Sequence, residues 1–402
     1  MATVRKRKLP SGLIRWQAAY KDGSGARRFK MFERKSDAEA WLVETRHDVA
    51  RGIHTPGSLS PTVKEAAALW IARCKEKRLE PMTVKGYEEH VNLHIVPFIG
   101  AKKLTEITVP AVNAFADQLR DAGRSAPMIT RIVRSLGGIF KEARRRGLAS
   151  TAPTSGVELD LPDRDDPRPV IPTKAELQAI IANATGRWRP VILVAIFCGL
   201  RASEIRGLRW ADIDLDAKQL KLTQRADASH RIGKLKSKAA YRSIPCPPIV
   251  LNALREWKLV CPKRDTGKKG PDGEPVKVLD LAFPNGFGKV ESHSNLAERG
   301  LLPVLIAAGL AEAKPLLNEA GRPVLDAAGE PKTVMIGKYG MHSLRHACAS
   351  LWIENGHNPK QIQRLMGHSS IKVTFDVYGH LFADAEADQR AAESLQARLL
   401  GA

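Results

Sequence analysis

Six side chains in the C-terminal half of the chain are of the types that bind and cleave a phosphodiester. In chain order they are Arg201 in FCGLRASEIRGLRW, Lys236 in GKLKSKAAYRSIP, His342 and Arg345 in MHSLRHACAS, His368 in RLMGHSS and Tyr378 in VTFDVYGHL. Cationic side chains stabilise phosphate oxygens, and a tyrosine hydroxyl beside them can attack the phosphorus. The set therefore predicts DNA strand cleavage through a covalent protein–DNA bond.

The segment around Arg201 predicts a tight connection between two helices. Gly199 suits a left-handed residue at the end of the first helix, and Ser203 can cap the second. Arg201 would then be held between them at a fixed position. An arginine at such a corner commonly has a structural role, and Glu204 is a candidate partner for it.

The segment HSLRHACASLWIENG predicts a helix that carries His342 and Arg345 on one face of its first turn. A helix N-terminus favours an anion there. The competing interpretation is a metal site, because His342 and His346 are four residues apart. The metalloprotease order has an acidic ligand that is missing here, and Arg345 would repel a cation, so we expect no metal.

Two further residues indicate chemistry only through their order in the chain. Gly367 predicts a helix end that exposes His368, which by itself would be a capping or packing residue. Tyr378 by itself would be a core aromatic residue. It follows His368 by ten residues, after the arginines and the histidine described above.

The combined order resembles that of the tyrosine recombinase family, also called phage integrases, from about residue 173 to residue 381. The matching motifs are the G-L-R-x-S-E box at 199–204, the hairpin lysine with R-x-I-P at 236–245, the H-x-x-R box at 342–345, the L-G-H-S-S box at 366–370 and the Y-x-H at 378–380. Met366 stands where the family usually has leucine, which is a mild apolar replacement.

The resemblance implies a mechanism without metal, ATP or another cofactor. Tyr378 would attack a DNA phosphorus, displace the 5′-hydroxyl and form a 3′-phosphotyrosine bond. Arg201 and Arg345 would hold the non-bridging oxygens. Reversal by the 5′-hydroxyl of a different strand would complete strand exchange.

The resemblance also implies roles for the remaining residues. Lys236 would protonate the leaving oxygen, although Lys234 and Lys238 lie on the same basic turn and the sequence does not separate the three. His342 would accept the tyrosine proton, and His368 would donate a hydrogen bond to the phosphate.

The family implies double-stranded DNA attachment sites as substrate, a homotetramer on two synapsed duplexes, and integration or excision of a mobile element. Accessory DNA-bending or directionality proteins would be further partners. Two alternatives stay open at this point: a type IB topoisomerase-like relaxing enzyme and a non-enzymatic DNA-binding regulator. Relaxation without strand exchange would indicate the former, whereas six chemically competent positions argue against the latter.

Composition supports a polyanionic partner and an intracellular location. The 402 residues include 64 Lys and Arg against 43 Asp and Glu, a net charge of +21. Five cysteines without a CxxC pair predict free thiols of a reducing compartment. The N-terminus lacks the apolar core of a signal peptide, and the longest apolar run, 191–197, is too short to span a membrane. We therefore expect a cytoplasmic protein without membrane contact.

Patterning predicts a multidomain, mainly α fold with four parts. Residues 1–55 would form a small, basic, β-rich arm-type DNA-binding module with two strands and a helix. Residues 60–152 would form a helical core-DNA-binding domain of four helices. Residues 168–384 would form a mixed α+β tyrosine recombinase catalytic domain, and 385–402 a helical tail that docks on a neighbouring protomer.

Three features are expected within the catalytic domain. The segments QLKLT and YRSIP should pair as strands around the basic turn. Stretches near 262–277 and 318–333 should be loop insertions. The second insertion repeats a hydrophobic-turn unit, which indicates a hairpin.

Overall fold

The computed structural model describes residues 2–23, 25–50, 56, 60–161, 169–318, 321–382 and 399–400. The chain divides into two compact units, Met1–Asp165 and Asp166–Ala402. The expected class, mainly α with a small β-rich N-terminal part, is confirmed, whereas the four finer domain boundaries stay predictions. The tail lies outside the described residues apart from 399–400.

The first unit begins with a three-stranded antiparallel sheet and one helix. Its elements are β1 Thr3–Lys8, β2 Ile14–Lys21, β3 Arg27–Phe32 and α1 Lys35–Ala50. The sheet order is β1-β2-β3. Ala18 and Tyr20 alternate toward a small core that also contains Ala38 and Leu42 of α1. Only two strands were expected, because β1 is nearly all polar and is held by its backbone pairing with β2.

The rest of the first unit is the predicted set of four helices. They are α2 Val63–Glu76, α3 Pro81–Glu89 continued by a π-helical segment His90–Ile95 and α4 Val96–Ile99, α5 Val109–Asp121 and α6 Ala126–Arg145. Thr62 caps α2 in a reciprocal capping box with Glu65. One face of α6, which includes Ile132, Leu136 and Phe140, lies in the core.

The helices of the second unit enclose a larger core. They are α7 Lys174–Asn183, α8 Arg189–Cys198, α9 Ala202–Gly207, α10 Pro248–Val260, α11 His293–Asn295 with a π-helical segment Leu296–Leu301, α12 Leu302–Ala307, α13 Met341–Glu354, α14 Pro359–Met366 and α15 Ile371–Tyr378. The apolar run noted above forms most of α8, which is buried on nearly every side. In the described part of the chain, no helix is long and apolar enough to cross a membrane.

Short strands complete the second unit. They are β4 Ile213–Asp214, β5 Gln219–Leu222, β6 Arg225–Ala226, β7 Ile232–Gly233, β8 Arg242–Pro245, β9 Arg264–Lys269, β10 Pro275–Val278, β11 Ala311–Pro315 and β12 Thr333–Gly337. The expected pairing of β5 with β8 is confirmed, with Leu222 opposite Arg242. This register places Arg242 at the beginning of β8, directly after the basic turn.

The two predicted loop insertions contain paired β strands or β bridges. β9 pairs with β10, so the expectation of a loop near 262–277 was wrong. The hairpin expected near 318–333 is present, because Leu325 bridges Pro331 across a tight turn. The Asp326 side chain accepts a backbone N–H bond from Glu330 across that turn, which explains the repeated Asx-turn pattern.

Packing in the helical part of the first unit predicts an unequal response of two glycines. A Cβ added to Gly138 on α6 would lie 2.8 Å from the Trp70 ring, whereas one added to Gly86 on α3 would meet nothing within 4 Å. We expect Gly138→Ala to lower the free energy of unfolding by roughly 1–3 kcal/mol. Gly86→Ala should raise it by about 0.5–1 kcal/mol. Urea unfolding followed by tryptophan fluorescence compares them, and equal stabilities would contradict this account.

Candidate active site

Arg201 sits at the corner between α8 and α9. Gly199 adopts the expected left-handed conformation with φ of 62° after α8. The residue that caps α9 is Arg201 itself and not Ser203, because the helix begins at Ala202. The Glu204 carboxylate accepts the Arg201 backbone N–H at 2.9 Å and its Nη1–H at 2.8 Å. The predicted partnership of Arg201 with Glu204 is therefore confirmed.

Glu204 is a buried carboxylate shared by three arginines. Arg242 donates from Nη1 and Nη2 to its two oxygens at 3.1 and 3.0 Å. Arg345 Nη1 lies 4.0 Å from Glu204 Oε2. Burial would raise the pKa of Glu204, but Arg242, Arg345 and Arg201 together lower it to about 2. The carboxylate therefore stays ionised and offsets part of their positive charge.

Three consecutive backbone carbonyls at the C-terminal end of α14 accept hydrogen bonds from the same arginines. Leu365 O accepts from Arg242 Nε at 2.7 Å, and Gly367 O accepts from Arg201 Nη2 at 3.2 Å. Met366 O accepts from Arg345 Nη2. The final carbonyls of a helix lack partners within the helix and carry its negative dipole end, so cations suit them.

The arginines differ in how many donors remain for a ligand. Arg242 uses four of its five N–H donors on Glu204 and on the carbonyls of Leu365 and Ala240. Each of the other two has hydrogen bonds from both of its Nη atoms. Arg242 therefore bonds mainly to the protein, whereas Arg201 and Arg345 each have N–H donors that these bonds do not use. Arg242 lies within the motif that follows Lys236, but the local sequence does not indicate this role, because Glu204 is 38 residues away.

His368 lies directly after Gly367, which ends α14 in a left-handed conformation with φ of 63° as expected. The expectation that His368 is exposed was wrong, because the residue is 7% exposed. Its Nδ1 lies 3.0 Å from Oγ1 of the fully buried Thr374 on α15. Burial and then Arg345, Arg201 and Arg242 lower the pKa of His368 to about 3. The ring is therefore neutral, and Thr374 sets its orientation.

Tyr378 is the last residue of α15 and is buried against the same group of side chains. Its ring is nearly parallel to that of His368, with ring centroids 6.3 Å apart. Its hydroxyl lies 2.6 Å from Nδ1 of His346. The His346 ring in turn meets the His342 ring edge to face at 4.5 Å. The sequence suggested His346 only as a metal ligand, although its spacing of four residues from His342 indicates that the two rings lie on one face of α13.

The structure brings five of the six predicted site residues into this cluster. Lys236 lies on the turn between β7 and β8 and is exposed, as Lys234 and Lys238 are. The turn therefore does not single out one of the three lysines. The role of Lys236 stays a prediction, as do the roles assigned to the other residues.

Family models for phage integrases match three parts of the chain. The model described as the phage integrase family matches residues 172–384. The phage integrase N-terminal domain matches residues 5–51, and the phage integrase N-terminal SAM-like domain matches residues 62–120. The first match covers the whole cluster described above.

Individual relatives agree with these models. The "Tyrosine recombinase XerC-like" protein of Caldanaerobacter subterraneus subsp. tengcongensis is 24% identical over 371 residues, covering 86% of this chain and 86% of the relative. The Tn1549 transposon integrase in complex with a circular intermediate DNA has a TM-score of 0.62 at 20% identity, covering 84% of this chain and 99% of that chain. A lambda integrase tetramer bound to a Holliday junction has a TM-score of 0.51 at 17% identity, covering 91% of this chain and 95% of that chain. At these identities the two structures establish similarity of fold.

The buried charge of Glu204 predicts a large stability effect. Glu204→Gln keeps the size of the side chain but leaves the buried Arg242 and Arg345 without a counter-charge. We expect the free energy of unfolding of the second unit to fall by roughly 3–5 kcal/mol. Denaturant unfolding measures it, with the exposed Glu256→Gln on α10 as the matched control. A loss no larger than that of the control would contradict this role for Glu204.

The neutral state of His368 predicts a dependence of stability on pH. Its pKa is lowered from 6.5 to about 3 in the folded chain. The stability that this provides is complete above about pH 6.5 and is lost as pH falls toward the folded pKa. The stability difference between the wild type and His368→Asn should therefore shrink between about pH 7 and about pH 4. Urea unfolding at several pH values measures it, with exposed His293→Asn as control, and a constant difference would contradict the assignment.

Proposed function

Because the chain belongs to the phage integrase family, we propose that it is a site-specific DNA recombinase that works through a 3′-phosphotyrosine intermediate. The observation that carries the proposal is the cluster in which Arg201, Arg345 and His368 surround the hydroxyl-bearing Tyr378. Cationic donors held in place before the substrate arrives stabilise the negative charge that develops on a phosphorane-like transition state. A tyrosine beside them supplies the nucleophile.

The proposed first step exchanges one phosphorus–oxygen bond for another. The Tyr378 O–H bond breaks and its proton passes to a histidine of α13, the tyrosine oxygen bonds to phosphorus, and the bond to the 5′-oxygen breaks. Arg201 and Arg345 bind the non-bridging oxygens, and His368 donates to one of them through Nε2 while Nδ1 faces Thr374. The lysine turn, with Lys236 as the proposed acid, delivers a proton to the leaving 5′-oxygen. Attack by another strand's 5′-hydroxyl then releases the tyrosine.

Two basic cavities support DNA as the substrate. A cavity of about 570 Å³ beside the catalytic cluster is lined by Arg242 and His368 together with Lys360 and Arg364. A cavity of about 980 Å³ lies among the helices of the first unit. Its basic lining residues are Arg73, Lys77, Arg131, Arg134, Lys141, Arg144 and Arg145. Basic surfaces of this kind bind the phosphate backbone, so we assign both to DNA contact.

The proposed assembly is a homotetramer on two synapsed attachment sites. Each catalytic cluster can hold one phosphodiester, whereas exchange between two duplexes requires four cleavages. The lambda integrase in the similar structure is a tetramer on a Holliday junction, and we extend that arrangement to this chain. We propose that the reaction takes place in the cytoplasm and that accessory DNA-bending or directionality proteins assist it. The arm-type role of residues 1–55 belongs to the same proposal.

The relaxing-enzyme and regulator alternatives have no specific observation in their favour. The named relatives are a tyrosine recombinase and two integrases. A regulator would bind DNA without a covalent bond, and a relaxing enzyme would rejoin only the strand that it cut. The nature of the covalent product and the exchange of strands therefore separate all three functions.

Covalent capture tests the proposal directly. Fragmented DNA from the organism that carries this gene is incubated with wild type and with Tyr378→Phe, and the protein is then denatured. We expect the wild type to retain DNA that ends at one or a few discrete sequences, because a phosphotyrosine bond survives denaturation. Tyr378→Phe should retain none, because it lacks the nucleophilic oxygen. Sequencing of the retained DNA measures both outcomes.

The matched control is Tyr339→Phe, which removes a hydroxyl that donates to Glu176 and lies outside both cavities, and which should retain DNA as the wild type does. Retention by Tyr378→Phe at the same sequences would mean that another nucleophile acts. If the wild type binds DNA but retains none after denaturation, the proposed enzyme activity is overturned. Supercoiled DNA that is relaxed without exchange between two captured sites would favour the relaxing enzyme.

A further inference from the structure

The nucleophile of the proposed reaction is held by a histidine outside the set that the sequence motifs identify. Tyr378 is 1% exposed, so its hydroxyl needs a partner within the protein. Nδ1 of His346 lies 2.6 Å from the hydroxyl oxygen. His346 is half-buried in the second turn of α13, one residue beyond Arg345. The contact joins the reacting atom of α15 to the helix that carries a phosphate-binding arginine.

The protonation states of the pair favour donation from tyrosine to histidine. Burial lowers the pKa of His346, and His342 and Arg345 lower it further, to about 4. Burial raises the pKa of Tyr378, so the phenol keeps its proton. The neutral imidazole has one nitrogen with a free lone pair. With the hydrogen on Nε2, Nδ1 accepts the phenol O–H, which is the contact that a general base needs.

The other two histidines of the cluster are less suited to this step. His342 is exposed in the first turn of α13 and meets His346 through its ring. The His368 ring lies parallel to the Tyr378 ring, and its Nδ1 is engaged with Thr374. This geometry leaves His342 and His368 free for the phosphate and places His346 on the tyrosine proton.

We propose that His346 takes the proton of Tyr378 when the tyrosine attacks, a role that rests on the proposed recombinase function. The phenolic O–H bond breaks as the Nδ1–H bond forms, and the released electron pair forms the bond between the tyrosine oxygen and phosphorus. The phosphorus–5′-oxygen bond breaks, and the lysine turn protonates that oxygen. On religation the lysine turn takes the proton of the attacking 5′-hydroxyl, and the histidinium returns its proton to the departing tyrosine oxygen, so the cycle needs no further reactant.

The surroundings of His346 couple this base to the substrate. The titratable and charged groups around the ring are His342 and Arg345 on α13, Tyr378 on α15 and His368 after α14. Positive charge in this group opposes protonation of His346 before DNA binds. A phosphodiester on Arg345 offsets that charge and increases the proton affinity of the ring. Tyr378 is thus activated after the phosphate is in place.

The experiment uses a synthetic duplex with the cleavage sequence identified by covalent capture. It is made in two forms, one with the natural 5′-oxygen leaving group and one with sulfur at that bridging position, which needs no acid to depart. We expect His346→Ala to slow single-turnover formation of the covalent complex by about 100-fold on both forms. Lys236→Ala should be slow on the oxygen form and restored on the sulfur form. His293→Ala, an exposed histidine of α11, is the matched control.

A second variant separates chemistry from folding. His346→Asn can still contact the tyrosine hydroxyl but cannot take its proton, so the same loss is expected with unchanged DNA binding in a gel-shift assay. In both variants the remaining rate should rise with pH, because hydroxide replaces the missing base. A wild-type rate in His346→Asn, or recovery of His346→Ala on the sulfur form, overturns the role of His346. Absence of wild-type cleavage overturns the proposed function instead.

A measurement without DNA tests the geometry independently. The full chain is labelled with ¹⁵N-histidine, and the His346 signals are assigned by their loss in His346→Asn. We expect Nε2 to carry the hydrogen and Nδ1 to be an unprotonated acceptor at neutral pH. A hydrogen on Nδ1 would make His346 the donor to Tyr378 and would overturn the proposal, whatever the DNA experiments give.

Discussion

The arrangement of the candidate active site depends on how three arginines are held together around one buried carboxylate, Glu204. Repulsion between such close cations is strong at low dielectric, and burial of an unpaired guanidinium is costly. Glu204 supplies the counter-charge, and the carbonyls of Leu365, Met366 and Gly367 accept one hydrogen bond from each arginine. The cluster thereby joins α9, β8, α13 and the end of α14. The same hydrogen bonds therefore hold these elements of the second unit together and fix the geometry of its site.

This arrangement divides the arginines into two kinds. Arg242 uses most of its N–H donors in bonds to the protein. Gly367 leaves room for its guanidinium, because a Cβ at that position would lie 2.7 Å from Arg242 Nη1. Arg201 and Arg345 lie at the same carboxylate and helix end, and each keeps N–H donors that its bonds there do not use. A site that is positive before substrate binds needs little reorganisation in the transition state. Burial and, after it, the same positive charge lower the pKa of His346 and of His368, so both rings are neutral.

Unlike the arginines, which are charged, Tyr378 has to remain uncharged in the resting protein. A phenol that ionised in the resting protein would be exposed to side reactions, whereas a buried phenol with a raised pKa stays protonated. The contact with His346 and the stacking on His368 hold Tyr378 in one orientation without ionising it. In the proposed mechanism, a bound phosphate changes the local charge and thereby allows the reaction to begin. Recognition and activation would then use the same electrostatic balance.

The sequence by itself determined the kinds of residue, their order and most helices. Gly199 and Gly367 marked helix ends, and the order from Arg201 to Tyr378 indicated the chemistry. These signals are local, because caps and periodicity depend on neighbours within a few residues. The sequence could not show that β1 pairs with β2 or that β9 pairs with β10, because backbone pairing places few demands on exposed side chains.

For side chains that are far apart in the chain, only the tertiary structure decided which of them are in contact. It placed Arg242, 38 residues from Glu204, on that carboxylate, it buried His368 against Thr374, and it chose His346 as the neighbour of Tyr378. The choice between His342 and His346 depends on how α13 is rotated about its axis against α15. That rotation results from packing of the whole core, and the residues next to either histidine in the sequence do not predict it. The residue types and their order therefore indicate the reaction, whereas the hydrogen-bond partners of these residues depend on the packing of the core.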